Sequence, residues 1–182
     1  MPYPDAQKVE EYFFGDDGLV PNNPSLPVVV YRGAIETGPR CAAEYERLFA
    51  RNGWSGAWRN GIYAHHHYHS TAHEVLGIAA GWVRVRLGGE GGSVVELQAG
   101  AVVVIPAGVA HKSEGARPDL VVVGAYPGGK SPDMCTPAAQ QRELALRKIG
   151  NVPLPDSDPV SGKTGPLLDR WAFRQSRLTN PL

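Results

Sequence analysis

A chain of 182 residues has room for one domain with an apolar core that needs no disulfide or metal staple to fold. Its eighteen basic and eighteen acidic residues cancel and neither sign gathers in a block, which excludes an electrostatic footprint for nucleic acid or an anionic membrane and favours a small or neutral partner. Only two cysteines (Cys41 and Cys135), an opening MPYPDAQKVEEYFF without a signal-peptide apolar stretch, and no apolar run of membrane length point to a cytoplasmic protein with reduced thiols.

In chain order, residues 5–14 have the spacing of a short helix, 26–35 alternates as a strand, and 40–52 places Cys41, Tyr45, Leu48 and Phe49 on one helical face. Gly53 stands where a positive-φ residue closes that helix. From 61 to 126 the texture changes to short β-rich runs at 62–69, 74–78, 82–87, 94–97, 102–105 and 120–125, which favours a barrel or sandwich. Gly88-Gly89-Glu90-Gly91-Gly92 reads as a hairpin loop, since no phosphate-loop lysine follows it. Thr136 and Pro137 have the character of an N-cap and first residue of a polar helix running to Gly150. The proline- and glycine-rich remainder predicts an extended wrapping tail whose Leu154, Leu167, Leu168 and Trp171 dock on the barrel or a neighbouring subunit. The β unit does not repeat, so 1–182 reads as a single domain with its barrel core at about 61–126.

All six histidines fall at His65, His66, His67, His69, His73 and His111, five of them within nine residues. On an extended strand His65, His67 and His69 share one face, with Tyr63, while His66 and Tyr68 take the other. Glu74 follows a four-residue turn and can return to the same interior space, and His111 can close the set from a later strand. Three imidazoles and one carboxylate suit a first-row divalent ion and leave positions open if the ion prefers five or six ligands. Taken singly, His66 and His73 are better read as hydrogen-bonded core or surface residues.

Gly61, five residues, His67-Tyr68-His69, four residues, Glu74, six residues and Gly81 resemble the first cupin motif. Gly100, five residues, Pro106-Ala107-Gly108, two residues and His111 resemble the second, which departs from the usual pattern in ending on Gly115 rather than asparagine. The resemblance covers about a third of the chain. It implies an all-β dominated double-stranded β-helix, jelly-roll-like, with short flanking helices, and the metal ligands His67, His69, Glu74 and His111. The flanking HHHYHSTAHEVLG is similar to a small bacterial cupin subfamily without an assigned reaction.

The fold alone selects no reaction. By family analogy the first expectation is a dioxygenase-like oxidoreductase with one divalent transition-metal ion (Fe, Mn, Ni or Zn) acting on a small molecule, with His65 and Tyr63 as candidate catalytic or ligand-orienting residues. Alternatives are a metal-dependent sugar isomerase or epimerase, which needs cations at the barrel mouth to hold phosphate, and a non-catalytic small-ligand-binding or sensing module. A closed structural zinc site is a further possibility. Lys112 is expected to point away from the metal, and Trp54 and Trp58 to serve the core or the pocket mouth. An apolar N-terminal strand and a docking tail suggest a homodimer.

Overall fold

The computed structural model describes residues 8–179, with side chains through residue 172. Within them the chain forms, in order, β1 (Val9–Phe14), β2 (Asn23–Tyr31), α1 (Cys41–Arg51), β3 (Trp54–Asn60), β4 (Glu74–Ala80), β5 (Trp82–Leu87), β6 (Ser93–Gln98), β7 (Val102–Ile105), β8 (His111–Ala116), β9 (Val121–Pro127), α2 (Ala139–Ile149) and α3 (Pro166–Thr179). The strands pair antiparallel into a six-stranded sheet, ordered β1-β2-β7-β4-β9-β3, and a three-stranded sheet, ordered β6-β5-β8.

The valine-rich runs explain how these sheets pack. Successive side chains of a strand face opposite ways, so a run that is apolar throughout needs cover on both sides. Val28, Val30, Leu76, Ile78, Val103, Ile105 and Val122 of the large sheet meet Val83, Val85, Leu87, Val95 and Leu97 of the small one, forming the interior of a jelly-roll barrel. The alternate residues Val29, Tyr31, Val75, Val102, Val104, Val123 and Ala125 face outward, where Cys41, Tyr45 and Phe49 of α1 and Leu167 and Trp171 of α3 cover them. At Gly77 the Tyr45 ring approaches so closely that an added Cβ would lie 2.7 Å from it, so the helix seats only on a residue without a side chain.

Several local expectations change. The 5–14 segment is no helix where it is described: VEEYFF alternates half-buried and exposed positions and pairs with β2 as an edge strand. β3 was not expected; it covers the sheet's other edge beside β9. β2 and β3 therefore place sheet residues outside 61–126. Residues 62–69 make isolated bridges at His67 and Tyr68 instead of a continuous strand. α2 starts at Ala139 with no side-chain cap, so Thr136 and Pro137 precede it. The tail is not extended throughout, since it contains α3. The expected α1 and its closure stand, with Gly53 at φ 78°, as does the hairpin joining β5 to β6.

Buried polar bonds hold the tail to the barrel. Tyr31 donates from Oη to Asp158 Oδ2 at 2.7 Å, and the Leu167 amide donates to both groups at 3.1 Å. Trp171 donates from Nε1 to the Pro27 carbonyl at 3.0 Å, and its ring lies 4.7 Å from that of His73. His73 accepts the Ala107 amide at Nδ1, 2.9 Å away, and burial pushes it down to about 4.

Two outcomes follow. Trp171→Ala removes a fully buried ring and a hydrogen bond, and urea unfolding is expected to show a loss of about 3–5 kcal/mol; a loss under ~1 kcal/mol would mean that α3 is only loosely attached. A folded-state value of about 4 against 6.5 when unfolded means that the His73 contribution to stability is complete above pH 6.5 and lost as pH falls through 4. An NMR titration should therefore find His73 neutral at pH 5, and a midpoint near 6.5 would contradict the burial argument.

Candidate metal centre

Strand parity aims Glu74 inward. It opens β4 two residues before Leu76 and four before Ile78, both interior side chains. His111 opens β8 opposite Leu87, another interior residue. His67 joins it through one antiparallel bridge, with the His67 amide donating to the His111 carbonyl at 3.2 Å and the His111 amide to the His67 carbonyl at 2.9 Å. Next along the chain, Tyr68 and Cys135 exchange two backbone bonds of 2.9 Å, and the His69 carbonyl accepts from the Gly108 amide at 2.8 Å. The histidine segment is thus tied to the barrel rim on both sides without being a regular strand.

That irregularity corrects the alternation expected for His65. Tyr63 lies on the wall of the central cavity and is 52 % exposed. His65 stays exposed outside the wall and stacks on Tyr63 at a centroid distance of 5.1 Å. His66 turns to the surface pair of Glu90 and Lys112, with its Nε2 3.0 Å from Glu90 Oε1 and Lys112 Nζ 2.6 Å from the same oxygen. Lys112 therefore points away from the centre, as alternation predicts.

The imidazoles of His67, His69 and His111 are oriented alike. His67 Nδ1 faces the His65 carbonyl at 3.3 Å, His69 Nδ1 that of Asp133 at 2.6 Å, and His111 Nδ1 that of Val109 at 3.1 Å. A neutral ring that donates from Nδ1 keeps a lone pair on Nε2, the tautomer a metal ligand needs. The ligand atoms of the three rings lie within 4.8 Å of one another, a group that can hold a metal ion. Glu74 Oε2 sits 3.4 Å from His69 Nε2 and 3.3 Å from His111 Nε2.

These separations test whether an ion fits. With Nδ1 already donating, Nε2 and carboxylate face each other as lone pairs, an unfavourable arrangement until a cation lies between them. Two ligands each ~2.1 Å from one ion lie roughly 3 Å apart at a right angle and about 3.4 Å apart at the tetrahedral angle. The 3.3–3.4 Å from Glu74 to His69 and His111 meets that requirement for these two pairs.

Burial and neighbouring charge act on each of these groups. Burial would raise the Glu74 carboxyl, but His111 and His69 beside it outweigh burial and hold it below the ordinary carboxylate range. Burial, with His111 adjacent, pushes His67 down to about 3. At His69 burial acts downward and is exceeded by Glu74, so its value rises.

The donor atoms open into a cavity of about 360 Å³ walled by residues that include Trp58, Ile62, Tyr63, Leu76, Tyr126 and Met134. Trp58 is thus on the cavity wall, while Trp54 is in the core. Sequence reasoning missed Tyr126, which donates from Oη to Glu74 Oε1 at 3.1 Å and accepts from Trp58 Nε1 at 2.8 Å. Parity could have found it, since it lies four residues beyond the interior Val122. It also missed Asp133, which holds Ser70 and Thr71 through its carboxylate and His69 through its carbonyl. No pattern in the sequence marks that role.

No family model matches the chain. Among solved structures, an acireductone dioxygenase from Bacillus anthracis with a cadmium ion in its active centre is 20 % identical at a TM-score of 0.36, over 50 % of this chain and 62 % of that one. A mutant of Bacillus subtilis oxalate decarboxylase OxdC is 17 % identical at a TM-score of 0.34, over 60 % of this chain and 22 % of that one. Among curated proteins, the uncharacterized protein YjlB of Bacillus subtilis (strain 168) is 43 % identical over 166 residues, which span 91 % of this chain and 98 % of YjlB. The chain belongs to the YjlB family.

Proposed function

We propose that the protein is a metal-dependent, dioxygenase-like oxidoreductase acting on a small molecule, with His67, His69, His111 and Glu74 holding one divalent transition-metal ion. The observation that carries the reading is the grouping of three imidazoles whose ligand atoms lie within 4.8 Å of one another, with a carboxylate oxygen 3.3–3.4 Å from two of them, beside a cavity with room for a ligand. A purely structural ion needs no such space. Bound there, the ion supplies Lewis acidity and open positions for substrate and dioxygen.

The chain's own residues supply the rest. Backbone carbonyls fix the three imidazole tautomers. Trp58, Ile62, Leu76 and Met134 give the cavity apolar surface that limits water. Tyr63, on the wall and half exposed, is the candidate for contacting substrate, while His65 acts on the centre through its carbonyl, its stacking on Tyr63 and its ring 5.9 Å from that of His67.

The phosphosugar isomerase finds less support. Arg59 is the one guanidinium or ammonium group on this wall among the described residues, and Glu46 engages it through two bonds of 2.6 and 2.7 Å. A phosphate would have to displace that partner. We further propose a homodimer; light scattering that gives one chain's mass would refute it.

Two measurements test the function. Elemental analysis should find stoichiometric metal in the wild type and essentially none in His67→Ala/His69→Ala; unchanged occupancy would refute the ligand assignment. Oxygen-electrode assays of iron-replete protein with phenols, thiols and keto acids should show uptake that the double variant lacks. Zinc as the resident ion together with no uptake across the panel would count decisively against the oxygenase reading.

A further inference from the structure

We infer that Tyr126, aligned by Trp58, is a positioning residue that restricts Glu74 to one-oxygen coordination and so keeps the cavity-facing side of the metal open. This rests on the metal reading above and adds to it a determinant of coordination number that lies outside the ligand set.

The argument is one of hydrogen-bond direction. An indole nitrogen is a donor only, so at 2.8 Å from Tyr126 Oη it must be donating. That bond occupies a lone pair of the phenol and leaves its single hydrogen for another acceptor. Glu74 Oε1 stands 3.1 Å away. The chain therefore runs one way, from Trp58 to Tyr126 to Glu74.

The two oxygens of Glu74 are thereby divided. Oε2 faces His69 and His111, and Oε1 is held by Tyr126 on the neighbouring strand β9. Rotating the carboxylate to present both oxygens to an ion would break the bond between two buried groups, Glu74 and Tyr126, and leave the hydroxyl without that acceptor, which is costly. The packing leaves little slack: an added Cβ at Gly124 would lie 2.1 Å from the Trp58 ring, so only glycine lets the indole lie at this height. Trp58 and Tyr126 both line the cavity, so the residues that set the carboxylate also shape the space for a ligand.

The test is cobalt binding to the full-length protein, by chelator competition and by the visible and EPR spectra of the Co(II) form. Tyr126→Phe keeps the ring and removes the hydroxyl. It is expected to weaken cobalt binding by about 10- to 100-fold and to change the Co(II) spectrum as Glu74 becomes bidentate. The metal-free melting temperature should fall as well, because Glu74 Oε1 and Trp58 Nε1 lose their partner, so the spectrum is the deciding readout. Trp58→Phe leaves the phenol in place but unaligned and should shift both readouts in the same direction by less; it also serves if Tyr126→Phe does not fold. Wild-type affinity and spectrum in both variants would overturn the inference while leaving the four ligands standing. A wild-type protein that takes up no cobalt at this site would overturn the metal reading and the inference together.

Discussion

A carboxylate buried beside two imidazole nitrogens organises this molecule. Glu74 is almost fully removed from water and faces His69 and His111 across 3.3–3.4 Å, and these neighbours hold it ionised against the effect of burial. An isolated buried carboxylate would cost several kcal/mol, far more than one surface ion pair returns. The surroundings offset that cost with a tyrosine hydroxyl on one oxygen and two imidazoles beside the other. Carbonyls that accept from each Nδ1 keep the imidazoles from settling the matter as ordinary donors.

Such precision needs a rigid frame, which comes from burying the six-stranded sheet on both faces. The small sheet covers one face and α1 with α3 the other, so each central strand is fixed by apolar contact above and below as well as by its ladder. A one-residue slip in β4 would exchange Glu74 for an outward residue and turn Leu76 and Ile78 away from the barrel interior, which fixes the register strongly. The less regular histidine segment borrows its order from neighbours, through the bridge to β8, the paired bonds to Cys135 and the Asp133 hub.

Much of this was legible in the sequence because it depends on local rules. Alternation and glycine punctuation mark the strands at 82–87 and 102–105, the spacing of Cys41, Tyr45 and Phe49 marks α1, and the two motif spacings bring the four site residues together. Other features depend on tertiary context. VEEYFF satisfies a helical spacing and an alternating one, and only the partner strand β2 decides between them. The polar HKSEGA of β8 carries no strand propensity and is held by β5. His65 leaves the inward face because its segment lacks the ladder on which strict alternation relies. Tyr126 lies in a readable strand, yet its bond to Glu74 joins residues 52 positions apart, and nothing local announces it.

The central claim is that three Nε2 atoms and Glu74 Oε2 form one metal site. The most direct measurement is a crystal structure of the metal-replete protein with anomalous scattering collected at the metal edge. The account predicts a single peak bonded to His67, His69, His111 and Glu74 Oε2, with Tyr126 still donating to Oε1 and the remaining positions facing the cavity. A peak elsewhere, or none after exposure to manganese, iron and zinc, would contradict it.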